Sequence, residues 1–107
     1  MVKVLKLNSI SPKVNDVLDK NYEITSECDN PDLILVRSAQ MADYVLPESV
    51  VAIGRAGAGV NNIPHAEYAK RGVVVFNSPG ANANAVKELV ITALLLSCRK
   101  IIEGIKW

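Results

Sequence analysis

Five short runs rich in β-branched and apolar residues limit what this chain can fold into more than any other feature. They are VKVLKLN (2–8), NYEITS (21–26), DLILVRS (32–38), VVAIGRAG (50–57) and GVVVFNSPG (72–80). Helix-like segments fall between them. Ser11-Pro12 opens one that runs through Leu18, with proline early in the helix where its missing N–H costs little. AQMADYVL (39–46) reads as a short helical turn ended by Pro47, and IPHAEYAKRG (63–72) as a short helix capped by Gly72. A long helix is expected from residue 83 to about 105, with Asn82 as its N-cap. Strands that alternate with helices predict an α/β fold, a parallel sheet with helices on both faces. DLILVRS, apolar without alternation, reads as a strand buried on both faces.

Composition narrows the function. The chain has 107 residues, enough for one small domain, and half are hydrophobic, which supports a packed core. Its 12 basic and 11 acidic residues leave a net charge of +1, without the basic excess that nucleic acid or an acidic membrane usually requires. Cys28 and Cys98 form no CxxC or metal pattern and read as reduced thiols of a cytoplasmic protein. No signal peptide is visible, and the run LVITALLLSC (89–98) is about half the length of a membrane span. That run is apolar on almost every side and calls for burial on more than one face. The expectation is therefore a chain that is the front part of a longer protein, whose remainder covers this helix.

In open parallel sheets, ligands bind beyond the carboxyl ends of the strands. Three polar loops are predicted there: Arg37-Ser38, Gly54 to Gly59, and Asn77 to Asn82. Two arginines, a glycine turn and a helix N-terminus together favour a small anion. Each part also has a plainer reading. Arg37 could be a surface charge, the glycines a tight turn, and Asn82 only a cap. Gly57-Ala58-Gly59 follows a strand as a dinucleotide fingerprint would, but the third glycine position holds Asn62, and no acidic residue follows at the required distance. His65, the only histidine, reads as a surface or capping residue rather than an acid or base. No GxSxG, HExxH or Walker pattern occurs, and no metal cluster is visible.

LILVRSAQ, VVAIGRAGAGVNNI and RGVVVFNSPGANANAVKEL, in that order, resemble the phosphoglycerate dehydrogenase branch of the D-isomer-specific 2-hydroxyacid dehydrogenases. The resemblance runs from about residue 32 to 107. It implies a flavodoxin-like, doubly wound sheet of five strands, with residues 1–82 as the first part of a substrate domain. Residues 83–107 would then be a helix crossing to an NAD-binding Rossmann domain that is absent here. It also implies that the catalytic histidine and its acidic partner lie in that second domain, so that this chain alone is inactive.

The resemblance further implies that Arg37, Ser38 and Arg55 face the substrate, and that the backbone N–H groups of Ala58 and Gly59 hold its carboxylate. Asn82 would reach the substrate and Val86 would lie against the nicotinamide. Glu88 matches a family glutamate without a chemical role. The implied reaction is NAD-dependent oxidation of 3-phosphoglycerate in serine biosynthesis, by a homo-oligomer. Another 2-hydroxy acid, such as glyoxylate or hydroxypyruvate, and a stand-alone binding module are the alternatives. The chain departs from the family at Asn61, where Asp is usual, and at Pro64, where an acidic residue is common.

Overall fold

The computed structural model describes residues 1–107. All five predicted strands form, each shorter than its apolar run: β1 (Val2–Lys6), β2 (Tyr22–Thr25), β3 (Leu33–Val36), β4 (Ala52–Arg55) and β5 (Val74–Phe76). They build one wholly parallel sheet in the order β2-β1-β3-β4-β5. The chain steps outward from β1 to β2, then returns to the other side of β1 to lay down β3. That reversal makes the carboxyl ends of β1 and β3 the topological switch point, where open α/β sheets form their binding crevice.

The register explains the core. Leu5, Ile34, Ile53 and Val75 share one row. Strand residues alternate between faces, so this row and Val36 lie on one side of the sheet. Met41, Leu46, Val50, Ile63 and Tyr68 close over that side. Ile34, Val36, Ile53 and Met41 are completely buried. The opposite face carries Leu33, Leu35, Ala52, Gly54, Val74 and Phe76. Apart from Val4, which shares this face and is completely buried, it is thinly covered, with Phe76 60% exposed. Helices thus do not clothe both faces equally, and Leu33 and Leu35 are only half-buried. The expectation that β3 is buried on both faces is corrected accordingly.

The helices depart further from expectation. The segment from Ser11 to Leu18 yields only one turn, α1 (Val14–Val17). Residues 39–46 form no helix; Met41 and Leu46 enter the core from an irregular connection. The helix α2 (His65–Lys70) is present and ends as the sequence predicts. Gly72 adopts φ +79°. Its N–H donates to the Ala69 carbonyl (3.0 Å), and the Val73 N–H donates to that of Tyr68 (2.9 Å). This is the Schellman pair of bonds, which satisfies the terminal carbonyls of the helix.

The long helix is two helices, α3 (Ala83–Cys98) and α4 (Ile101–Lys106). Arg99 between them is extended, at φ −123° and ψ 141°. The Ser97 hydroxyl donates to the Leu94 carbonyl (2.7 Å) and the Cys98 thiol leans on that of Leu95 (3.4 Å). Side chains competing for the carbonyls of the final turn weaken continuation of the backbone ladder. Asn82 occupies the N-cap position, but its side chain makes no capping bond. Neither helix buries a residue, and the radius of gyration is 18.7 Å, against about 13 Å for a compact chain of this length. Neither helix is long and apolar enough to cross a membrane.

Candidate functional site

The sheet delivers Asn8, Arg37-Ser38, Ala56 to Gly59 and Asn77-Ser78 to one edge, and hydrogen bonds join them into a continuous surface. The parallel ladder runs past the strand ends through the Leu7 N–H to the Leu35 carbonyl (3.0 Å) and the Ala56 N–H to the Val36 carbonyl (2.7 Å). Beyond it, side chains take over. The Arg37 N–H donates to Asn8 Oδ1 (2.9 Å), and Asn8 Nδ2 donates to the Ser38 hydroxyl (2.9 Å). The Ser78 N–H donates to the Gly57 carbonyl (2.8 Å), Ser78 Oγ to the Arg55 carbonyl (3.1 Å), and Asn77 Nδ2 to the Ala58 carbonyl (2.6 Å).

Arg37 and Ser38 stand at this edge with exposed side chains. Arg55 is placed otherwise than a free positive charge would be. Its Nε donates to the Arg37 carbonyl at 2.8 Å, and its Nη1 donates to the Gly59 carbonyl. The guanidinium therefore braces the loops while its charge remains at the site. This accounts for Gly57. Neither Gly57 nor Gly59 has a positive φ. A Cβ on Gly57 would lie 3.2 Å from Arg55 Cζ, and one on Gly59 3.4 Å from Nη1. Gly57 thus makes room for the arginine rather than for a left-handed turn, while a Cβ on Gly59 would stand at an ordinary contact distance. The N–H groups of Gly57, Ala58 and Gly59 donate to no backbone carbonyl, which suits a cradle for an anion.

Asn62 lies beneath this surface at 6% exposure. Its Nδ2 donates to the carbonyls of Ala39 (2.8 Å) and Arg37 (3.4 Å), and its Oδ1 is buried without a partner. Beside the edge opens a cleft of about 260 Å³, apolar along Ile10, Val14, Leu35 and Phe76 and polar along Arg55, Asn77 and Ser78. Its size suits a metabolite of a few carbons rather than a dinucleotide.

Asn82 and Val86 are not drawn into the network. None of the bonds joining the loops reaches them, and they follow the site only through the turn at Ser78 to Gly80. Val86 is half exposed on α3. His65 begins α2 as an exposed residue, and its side chain makes none of the hydrogen bonds that join these loops. Sequence reading missed Asn8 and Asn62. The strand order would have pointed to Asn8, which follows β1 at the switch point. Nothing local marks Asn62, whose role depends on a carbonyl 23 residues earlier.

A parallel sheet in this order, with basic residues and unengaged N–H groups at the carboxyl edge, describes an open α/β domain whose edge favours an anion. The chain belongs to the D-isomer specific 2-hydroxyacid dehydrogenase family, matching its catalytic-domain profile over residues 1–97. It is 33% identical to D-3-phosphoglycerate dehydrogenase of Archaeoglobus fulgidus, an alignment covering 94% of this chain and 22% of that protein. It is 34% identical to hydroxypyruvate reductase of Thermotoga maritima, covering 81% of this chain and 36% of the relative. With D-3-phosphoglycerate dehydrogenase of Escherichia coli K12 the identity is 46%, over 53% of this chain and 14% of that protein. The chain thus spans between about a seventh and a third of the length of these relatives.

Proposed function

We propose that this chain is the substrate-binding part of an NAD-dependent D-3-phosphoglycerate dehydrogenase, which oxidises C2 of 3-phosphoglycerate in serine biosynthesis. Residues 1–82 would form the substrate domain and residues 83–107 the crossing to the dinucleotide domain, in a cytoplasmic enzyme. The observation that carries the reading is the carboxyl edge itself. Arg37, Ser38 and the N–H groups of Gly57 to Gly59 share that edge and are tied together through Arg55, whose guanidinium bonds the Arg37 and Gly59 carbonyls. Arginine binds a phosphate or a carboxylate through paired hydrogen bonds, and the backbone nest binds the other.

The residues present do not fit a complete NAD site. Asn62 stands where a third glycine would, the carbonyls of Ala58 and Gly59 are engaged, and the cleft is small. Val86 is the one residue proposed to touch the nicotinamide. The chain alone is therefore expected to bind substrate without transferring hydride. The Thermotoga relative's name supports a second reading within the family, in which the substrate is hydroxypyruvate.

Amide shift mapping tests both readings. In phosphate-free buffer, 3-phosphoglycerate should perturb the amides of residues 37–38, 57–59 and 77–78, and more strongly than hydroxypyruvate. The reverse order would favour the second reading, and no perturbation by either acid would reject the site.

We further propose that the enzyme is a homo-oligomer. Six apolar side chains from Leu89 to Leu96 are between 36% and 70% exposed. Contiguous exposed apolar residues of this kind mark an interface, and a second copy presenting the same residues would cover part of them.

A further inference from the structure

The sequence accounts for Arg37 as a ligand group but not for what holds it still. Arginine on an exposed loop loses rotamer and backbone freedom when it grips an anion, and a loop already ordered loses less. Every backbone polar group of Arg37 is engaged by a side chain from elsewhere in the chain. Its N–H donates to Asn8 Oδ1 at 2.9 Å, across 29 residues of sequence. Its carbonyl accepts from Arg55 Nε at 2.8 Å and from Asn62 Nδ2 at 3.4 Å, using both lone pairs. The neighbours are tied as well: Asn8 Nδ2 reaches the Ser38 hydroxyl and Asn62 Nδ2 the Ala39 carbonyl. Meanwhile the Arg37 side chain is left exposed.

We propose that Asn8, Arg55 and Asn62 are positioning residues that lock the backbone of Arg37, so that its guanidinium and the Ser38 hydroxyl meet the anionic end of the substrate from a fixed loop. This rests on the reading of the carboxyl edge as an anion site. Asn8 acts from the end of β1, on the other side of the switch point from β4, so the two clamps hold Arg37 from opposite directions. Arg55 acts through its fork of donors, which links the Arg37 and Gly59 carbonyls. The arginine loop and the glycine cradle therefore keep a constant separation. A lysine would preserve the charge but has no second donor at that spacing.

Two measurements on this chain test the clamp. The first needs no ligand. In Asn8→Ala, the Arg37 amide should exchange with deuterium about tenfold faster, the loss expected for one hydrogen bond. The core amides of Ile34 and Ile53 should be unchanged. Unchanged exchange at Arg37 overturns the clamp.

The second is a cycle read by the Kd for 3-phosphoglycerate. Asn8→Ala and Arg55→Lys should each weaken binding about tenfold in the parent chain; in an Arg37→Ala background Asn8→Ala should cost less than about twofold, because it acts through Arg37, and Arg55→Lys clearly less than in the parent, because only its hold on the Gly59 carbonyl is left. Equal losses in both backgrounds overturn the positioning role. So does full binding by Arg55→Lys, which would make Arg55 a charge and nothing more. If the parent chain binds no 3-phosphoglycerate, the site reading fails and the positioning role fails with it; the exchange result then speaks only to the loop's architecture.

Discussion

Replacing Gly72 by alanine isolates a backbone effect that the structure allows to be sized. Gly72 follows α2 with φ +79°, and a Cβ built on it meets no atom within 4 Å. It is also exposed, so the substitution buries nothing and displaces nothing. What remains is the penalty for holding an L-residue in the left-handed region, about 1–2 kcal/mol. The Schellman bonds from Gly72 and Val73 keep the residue there, because releasing it would take a donor from each of the Ala69 and Tyr68 carbonyls. Urea unfolding should be followed by near-ultraviolet circular dichroism, which reports the tyrosines of the sheet domain rather than the exposed α3. With a denaturant slope of about 1–2 kcal/mol per M, the midpoint should fall by roughly 1 M. Gly72→Asn should lose clearly less, since asparagine tolerates this region. A midpoint unchanged in Gly72→Ala, or an asparagine variant less stable than the alanine one, would refute the conformational argument.

Three further outcomes follow from the same structure. Asn62→Ala should cost about 1–3 kcal/mol in urea unfolding, because the Ala39 carbonyl loses a buried donor; a loss under 0.5 kcal/mol would mean water replaces the amide freely. Burial raises the Tyr68 phenol above its ordinary value of 10.0, and the neighbouring Tyr44 and Glu67 add to this while Arg71 opposes it. Its neutral form is thus favoured by folding. That contribution is fully present below the unfolded pKa of about 10 and is lost as pH rises through the folded value. Tyr68→Phe should therefore flatten the alkaline loss of stability, and an identical pH profile for both proteins above pH 10 would exclude this. Finally, this chain should self-associate through α3. Sedimentation should shift with concentration in the parent and much less in Leu94→Lys, and a concentration-independent monomer in the parent would count against the interface.

Much of the architecture is legible in the linear pattern because its causes are local. Apolar runs a few residues long, broken by Gly, Pro and Asn, specify all five strands. Gly72 marks a helix end because only the next residues are needed to complete its bonds. The apolar character of residues 89–96 is likewise a local property, and those residues are exposed in the fold. Where local signals conflict, the sequence misleads. Ser97 and Cys98 sit in a helical pattern, yet their side chains bond the preceding turn and α3 ends there.

The site divides along the same line. Arg37, Ser38 and the glycine turn could be proposed from residue type and from their place at strand ends. That Arg55 turns inward onto two carbonyls, that Gly57 is small to admit it, and that Asn8 and Asn62 hold the loop could not. The bonds from Arg55 and Asn8 to Arg37 and from Asn62 to Ala39 exist only once β1, β3 and β4 lie side by side, because each joins a donor to an acceptor at least 18 residues away, whereas that of Arg55 to Gly59 is local. A hydrogen bond requires an approach of about 3 Å, and for residues 8 and 37 only the sheet brings that about.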